Sequence, residues 1–150
     1  MLNILTDLRA CWKNKQPAAL ATIIAVDGSA YRKEGARCLI HKDGSITGIV
    51  SGGCVEGDLI EHAQNVIGAG ICKQVKYDFR QGDDVPWGLG LGCNGAITLL
   101  IQPFDPVNQP DIAENLLTYF ERYVSSQSSY FIVTILASEN EGKVAVGKMV

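Results

Sequence analysis

Three stretches of this chain combine bare backbone with thiols or cations, and that combination is what could do chemistry. They are Asp27-Gly28-Ser29-Ala30-Tyr31-Arg32-Lys33-Glu34-Gly35-Ala36-Arg37, then Ser51-Gly52-Gly53-Cys54-Val55-Glu56-Gly57, then Trp87-Gly88-Leu89-Gly90-Leu91-Gly92-Cys93-Asn94-Gly95. Fourteen of the sixteen glycines lie between Gly28 and Gly95, with four of the five cysteines, so the glycine excess belongs to these loops rather than to the chain at large. The second stretch sits where a strand feeds a helix. Unpaired N–H groups at a helix N-terminus, approached through glycines, favour an anion, and the same dipole favours a thiolate. Cys54 is therefore the leading candidate for a reactive or soft-ligand thiol. The competing reading makes it a small residue packed at a tight turn.

The third stretch contains Gly90-Leu91-Gly92-Cys93-Asn94-Gly95, which matches the dinucleotide pattern G-x-G-x-x-G. That pattern works only between a strand and a helix, and here a loop containing Pro86 precedes and a β-rich run follows. The match is accidental. What remains is a loop that displays Cys93 among glycines, with Trp87 either a stacking surface or the loop's packing anchor. In the first stretch Arg32, Lys33 and Arg37 fall within six residues and suit a phosphate or an acidic partner. Alternatively they form a solvated turn neutralised by Asp27 and Glu34. Glu56, Asp58 and Glu61 open the second helix, where carboxylates complement the dipole whether or not one serves as a base. His62, mid-helix, reads as a surface residue.

These loops need elements to hold them. Ile4, Leu5, Leu8 and Trp12 fall at helical spacing, with Asn3 as the expected N-cap and Pro17 as the stop. Residues 18–26 form an apolar, partly β-branched run expected to be a buried strand. Segments 38–41 and 46–50 flank Asp43-Gly44, a hairpin signal. Val55, Leu59, Ile60, Ala63, Val66 and Ile67 then share one helical face that Gly68 and Gly70 end. Strands are predicted at 72–79 and 96–102, with a long irregular loop, 80–95, between them. After the connector 103–110 comes a third helix with Asp111 and Glu114 at capping-box spacing. A strand follows at 130–137, and its partner begins at 143–150. This helix–strand ending echoes the chain's opening at an offset of 112 residues, as the start of a second unit would.

Length and composition bound the rest. One hundred and fifty residues with 47% hydrophobic content can bury a core, and a net charge of −3 offers no strongly basic nucleic-acid surface. No apolar run reaches the roughly 20 residues needed to span a bilayer. Five cysteines without regular spacing and without a C-x-x-C pair argue against both a disulfide framework and a structural zinc site, and fit reduced thiols. The expected fold class is α/β: a mixed sheet with an antiparallel hairpin and helices packed against it, with no complete Rossmann domain. Cys38 and Cys72 fall in strands and are expected in the core.

Taken together and in order, Ala21-Thr22, Gly28-Ser29-Ala30-Tyr31-Arg32, Gly35-Ala36-Arg37, Ser51-Gly52-Gly53-Cys54-Val55-Glu56-Gly57 and Trp87-Gly88-Leu89-Gly90-Leu91-Gly92-Cys93 resemble the XdhC/CoxI family of xanthine dehydrogenase accessory factors. The resemblance spans roughly residues 2–103. It implies a cytoplasmic chaperone that binds molybdenum cofactor (molybdopterin) as cargo, protects its sulfurated form and delivers it to an apo xanthine dehydrogenase-type hydroxylase of purine catabolism. A cysteine desulfurase is a further partner candidate. On this view residues 1–105 form the N-terminal domain of the family. Residues 106–150 form a helix–strand extension packed on the same domain, cut before the Rossmann-like domain that typical members carry.

The resemblance does not say which residues touch the cargo, so that assignment follows from chemistry. Cys54 and Cys93 are soft thiolates suited to molybdenum or persulfide sulfur. Ser29, Arg32, Arg37, Ser51, Gly52, Gly53, Glu56, Gly90 and Gly92 line the phosphate and backbone side of the same site. No metal held by the protein alone and no catalytic residue is expected beyond the reactive thiol. Two other functions compete: a cysteine-dependent enzyme or sulfur carrier using Cys54, which needs His41, His62 or a carboxylate as base, and a dinucleotide-binding oxidoreductase component, against which the missing fingerprint speaks. An exposed edge strand favours a homo-oligomer.

Overall fold

The apolar run starting at Ala18 becomes the centre of a five-stranded sheet. A computed structural model describes residues 1–80, 94–129, 131–139 and 146–150. Its elements run α1 (Leu2–Asn14), β1 (Ala18–Gly28), β2 (Arg37–His41), β3 (Ile46–Gly48), α2 (Glu56–Ala69), β4 (Lys73–Asp78), β5 (Gly95–Phe104) and α3 (Pro110–Ser125). The sheet order is β3-β2-β1-β5-β4. The α/β class, the hairpin and the helices packed on the sheet are as read from the sequence. All four described ladders are antiparallel rather than mixed in direction. The crossover through α2 joins β3 to β4 at opposite edges of the sheet, so it creates no parallel pair.

Strand alternation decides which helix covers which residues. Ala18 and Leu20 of β1, with Leu39 and Phe104, face α1 and α3. Ala19, Ala21 and Ile23, with Cys38, Ile40, Leu99 and Ile101, face α2. Covered on both sides, β1 and β5 must be apolar at successive positions, which is why both read as continuous runs instead of alternating ones. Burying Phe104 and Phe120 contributes roughly 1.5–3 kcal/mol each. The β1–β5 register slips by one between Ile23 and Ala25 and then continues to Gly28↔Gly95. Such an irregularity twists the ladder locally, here just before the glycine-rich end of β1.

Helix ends differ in detail from expectation. Asn3 lies inside α1 and Met1 is the N-cap, with no side-chain cap. At the other end Lys15 adopts a left-handed φ of 55°, and Gln16 N–H donates to Cys11 O at 2.9 Å ahead of Pro17. In α3, Pro110 takes the first position and Gln109 is the N-cap, so Asp111 and Glu114 form no capping box. The approach to α3 is organised earlier, by buried Asp105. Its Oδ1 accepts the Val107 and Asn108 N–H groups, both at 2.9 Å, and its Oδ2 accepts Asn108 Nδ2 at 2.8 Å.

The expected last strand pair survives as a short antiparallel contact. Val133 and Val150 exchange backbone hydrogen bonds of 3.0 Å, with a bridge between Thr134 and Met149. Met149 is buried in the same cluster as α1, β1 and α3. The echo of the chain's opening therefore folds back on the first core.

Candidate functional site

The turn between β3 and α2 is built from the inside out. Val50, Ser51 and Val55 are buried, and they tether a loop whose intervening residues reach the surface. Ser51 Oγ donates to Glu56 Oε1 at 2.6 Å and accepts the Gly53 N–H at 3.3 Å, while Val55 N–H donates to Glu56 Oε2 at 3.2 Å. The Glu56 carboxylate thus closes the N-terminal turn of α2 and is occupied by the loop's own donors. Gly53 holds φ +104°, a conformation that disfavours any side chain. Gly52 does not, and a Cβ there would meet the Tyr31 ring at 3.4 Å, an ordinary contact. Cys54 is half-buried, immediately before the N-cap Val55, and borders the core on the α2 side.

Beneath the turn, polar groups fix α2 to the sheet. Tyr77 OH donates to Asp58 Oδ2 at 2.6 Å. Burial, reinforced by that bond and by the Asp58 charge, pushes the Tyr77 phenol upward. Asp58 lies 3.3 Å from His62 Nε2, and Lys73 Nζ donates to His62 Nδ1 at 2.9 Å. With Nδ1 accepting, Nε2 carries the proton that faces Asp58. Cys38 is fully enclosed, and burial, then the Glu56 charge, pushes its thiol up to about 12.

The β1–β2 loop is pinned at its base. Ile23 N–H donates to Ala36 O and Gly35 N–H to Ile23 O, both at 2.9 Å, and Val26 N–H donates to Glu34 Oε1 at 3.2 Å. Glu34 is thereby engaged with backbone, and no salt bridge reaches Arg32 or Lys33 among the described residues. Tyr31, Arg32 and Lys33 line an open cavity of about 410 Å³. Ser29 Oγ accepts the Asn94 N–H at 3.3 Å, joining the first stretch to the end of the third. There Gly28, at φ +75°, and Gly95 cross so closely that a Cβ on Gly95 would clash with Asp27 O. Arg80 clamps the same corner, with Nη1 2.9 Å from Asp27 Oδ2 and Nη2 2.9 Å from Asp78 Oδ2. Hydrogen bonds from Arg80 bring the Asp78 carboxyl down to about 2.

The described structure therefore gathers Ser29, Arg32, Ser51, Gly52, Gly53, Cys54 and Glu56 around the β1 exit and the α2 start. Gly90, Gly92, Cys93 and Trp87 lie outside the described residues. The residues that bracket them, Arg80 and Asn94, are fastened to Asp27 and Ser29. Arg37 does not join this group. It turns to the other side of the sheet, its guanidinium carbon 5.5 Å from the Phe120 ring centroid and its Nη1 donating to Gly35 O at 3.2 Å. Burial lowers its pKa.

His41 is also on that far side, between Cys11 Sγ (3.6 Å from Nδ1) and Asp7 Oδ2 (3.3 Å from Nε2), with Thr47 Oγ1 donating to the same Asp7 oxygen. Neither histidine is placed as a base for Cys54: His41 serves the α1 side, and His62 is held by Asp58 and Lys73. Among the described residues no group of three or more His, Cys, Asp or Glu is arranged to hold a metal ion, and no helix is long and apolar enough to cross a membrane. Sequence reasoning missed Arg80, the Tyr31–Gly52 contact and the Tyr77–Asp58 bond. Only the last left a signal: an inward tyrosine on β4 needs a partner for its hydroxyl.

Residues 11–78 match the sequence profile of the XdhC and CoxI family. The chain is 44% identical over 97 residues to a probable xanthine dehydrogenase subunit from Bacillus subtilis (strain 168), covering 65% of this chain and 29% of that protein. It is 36% identical over 85 residues to the molybdenum cofactor insertion chaperone PaoD of Escherichia coli (strain K12), covering 56% and 26%. A crystal structure of a xanthine dehydrogenase from Bacillus halodurans superposes with a TM-score of 0.72 at 36% identity, covering 97% of this chain and 40% of that one. The matches thus span well under half the length of these relatives. Over residues 11–78, which include β1, β2, the Cys54 turn and α2, the chain is similar to the XdhC and CoxI family.

Proposed function

We propose that this chain is the cargo-binding part of an accessory factor that loads molybdenum cofactor into a xanthine dehydrogenase-type hydroxylase. The accessory role is supported by the family match and by the name of PaoD, and the link to a xanthine dehydrogenase by the name of the Bacillus subtilis relative. Binding of the cofactor itself is supported by the name of PaoD and by one observation above all. The cationic loop carrying Arg32 and Lys33 and the glycine turn carrying Cys54 meet at the Tyr31–Gly52 contact.

The residues present fit such a cargo. Arg32 and Lys33 supply positive charge for its phosphate, Gly52 and Gly53 let it approach the backbone, and the Cys54 thiol suits its molybdenum and sulfur. Glu56 and Ser51 hold the turn open instead of binding cargo. Residues 1–105 carry this site, α3 backs the sheet from the other side, and Cys93 is the second candidate thiol. Delivery to an apo hydroxylase, resupply of sulfur by a cysteine desulfurase, pairing with a second copy and action in the cytoplasm belong to the same reading.

The test is anaerobic loading of purified protein with molybdenum cofactor, followed by desalting and elemental analysis. About one molybdenum per chain is expected, with retention falling at least about fivefold in Cys54→Ala. No retained molybdenum in the wild type would overturn the reading, and equal retention in Cys54→Ala would remove the thiol from it.

A further inference from the structure

We infer that Tyr31 is the ring-stacking residue of this site, the surface on which the flat heterocycle of the cargo rests. The inference builds on the reading just given and assigns a role to a side chain outside the site residues expected from the sequence.

Tyr31 presents an exposed ring on an anchored loop. It is 56% exposed, yet it sits on a loop whose base is fixed by backbone hydrogen bonds from Ile23 and Gly35. Its ring rests against Gly52, where an added Cβ would lie 3.4–3.7 Å from three ring atoms. The ring is thus supported from one side by the very turn that presents Cys54, and the remainder faces solvent. An aromatic used only to fill space would bury more of itself, since leaving such a surface in water forfeits most of its hydrophobic gain.

Its neighbours define what would cover it. Arg32 and Lys33 line the same open cavity, and Glu34, the adjacent carboxylate, is turned back onto the Val26 N–H. The loop therefore offers an aromatic ring and two cations at the cavity, and the turn that Tyr31 touches at Gly52 adds glycine backbone and runs on to the Cys54 thiol. A ligand complementary to all four carries a planar ring, an anionic group and soft sulfur. Stacking tolerates any ring with a π-face, so the tyrosine sets the class of ligand and the polar groups set its orientation.

The experiment separates the ring from the anion. Wild type, Tyr31→Phe and Tyr31→Leu are titrated anaerobically with metal-free molybdopterin, and in parallel with inorganic phosphate as competitor. Tyr31→Phe is expected to bind molybdopterin within about twofold of wild type, and Tyr31→Leu about tenfold more weakly. The pterin absorption shift seen on stacking should be lost with Leu only, and competition by phosphate should be the same in all three proteins. Wild-type affinity in Tyr31→Leu, or an equal loss for phosphate, would overturn the stacking role. The second result would mean that the loop had collapsed. Failure of the wild type to bind molybdopterin would instead bring down the function reading itself, with this inference.

Discussion

Both faces of the sheet carry a cysteine close to a carboxylate and a second polar partner, but Cys11 is fully buried while Cys54 is only partly so. On the α1 side, Cys11, His41, Asp7 and Thr47 are linked in sequence, and the order resembles a nucleophile with its base and orienting acid. Cys11 is nevertheless 1% exposed, and burial, then the Asp7 charge, pushes its thiol upward. That set ties α1 to β2 and β3. On the α2 side, Cys54 is half-buried next to Gly52 and Gly53, with Glu56 consumed in holding the turn. Residue types alone cannot separate the two. The difference lies in how far each is covered: Cys11 is sealed between α1 and the sheet, and Cys54 is only partly buried at the start of α2.

The largest expected effect lies on the closed face. Phe104→Ala empties a fully buried position between β5 and the α1 and α3 layer and should cost about 4 kcal/mol, read by urea unfolding. A loss below about 1 kcal/mol would mean that this face is not the sealed half of the molecule.

Thiol chemistry draws the contrast next. In iodoacetamide labelling from pH 7 to pH 10, read by peptide mass spectrometry, Cys54 should react at least about a hundredfold faster than Cys11 or Cys38. Cys38, pushed up to about 12, stays protonated through this range, so raising the pH should not release it. Comparable rates at Cys11 and Cys54 would erase the distinction between the faces.

The smallest effect on stability is expected at the open turn. Gly52 needs neither a positive φ nor the space beside it, so Gly52→Ala should change unfolding free energy by no more than about 0.5 kcal/mol. Molybdenum retention should nonetheless fall, because the methyl presses on the Tyr31 ring that is proposed to carry the cargo. Loss of stability above about 1 kcal/mol would make Gly52 a structural residue and leave the turn without a free approach.

Much of this site was legible in the residues. The glycine-rich turn with Cys54, the cations of the first loop and the covering helix all follow from local patterns. Arg37 was not legible, since its place on the far face depends on β2 alternation set by Cys38 and Ile40 packing under α2. The capping expectations at Asn3 and Asp111 failed for a related reason. A cap signal is short and redundant, and the tether from Asp105 or the position of Pro110 settles the matter instead.

By itself the sequence determined which segments are buried on both sides, where helices stop and where backbone must stay bare, because each depends on neighbouring residues along the chain. The tertiary structure alone decided that Tyr31 meets Gly52, that Arg80 and Ser29 fasten the two ends of the segment carrying Cys93, and that Cys11 is sealed while Cys54 is not. Those outcomes depend on strand register and on which helix lies over which face, and both are set by packing between residues far apart in the chain.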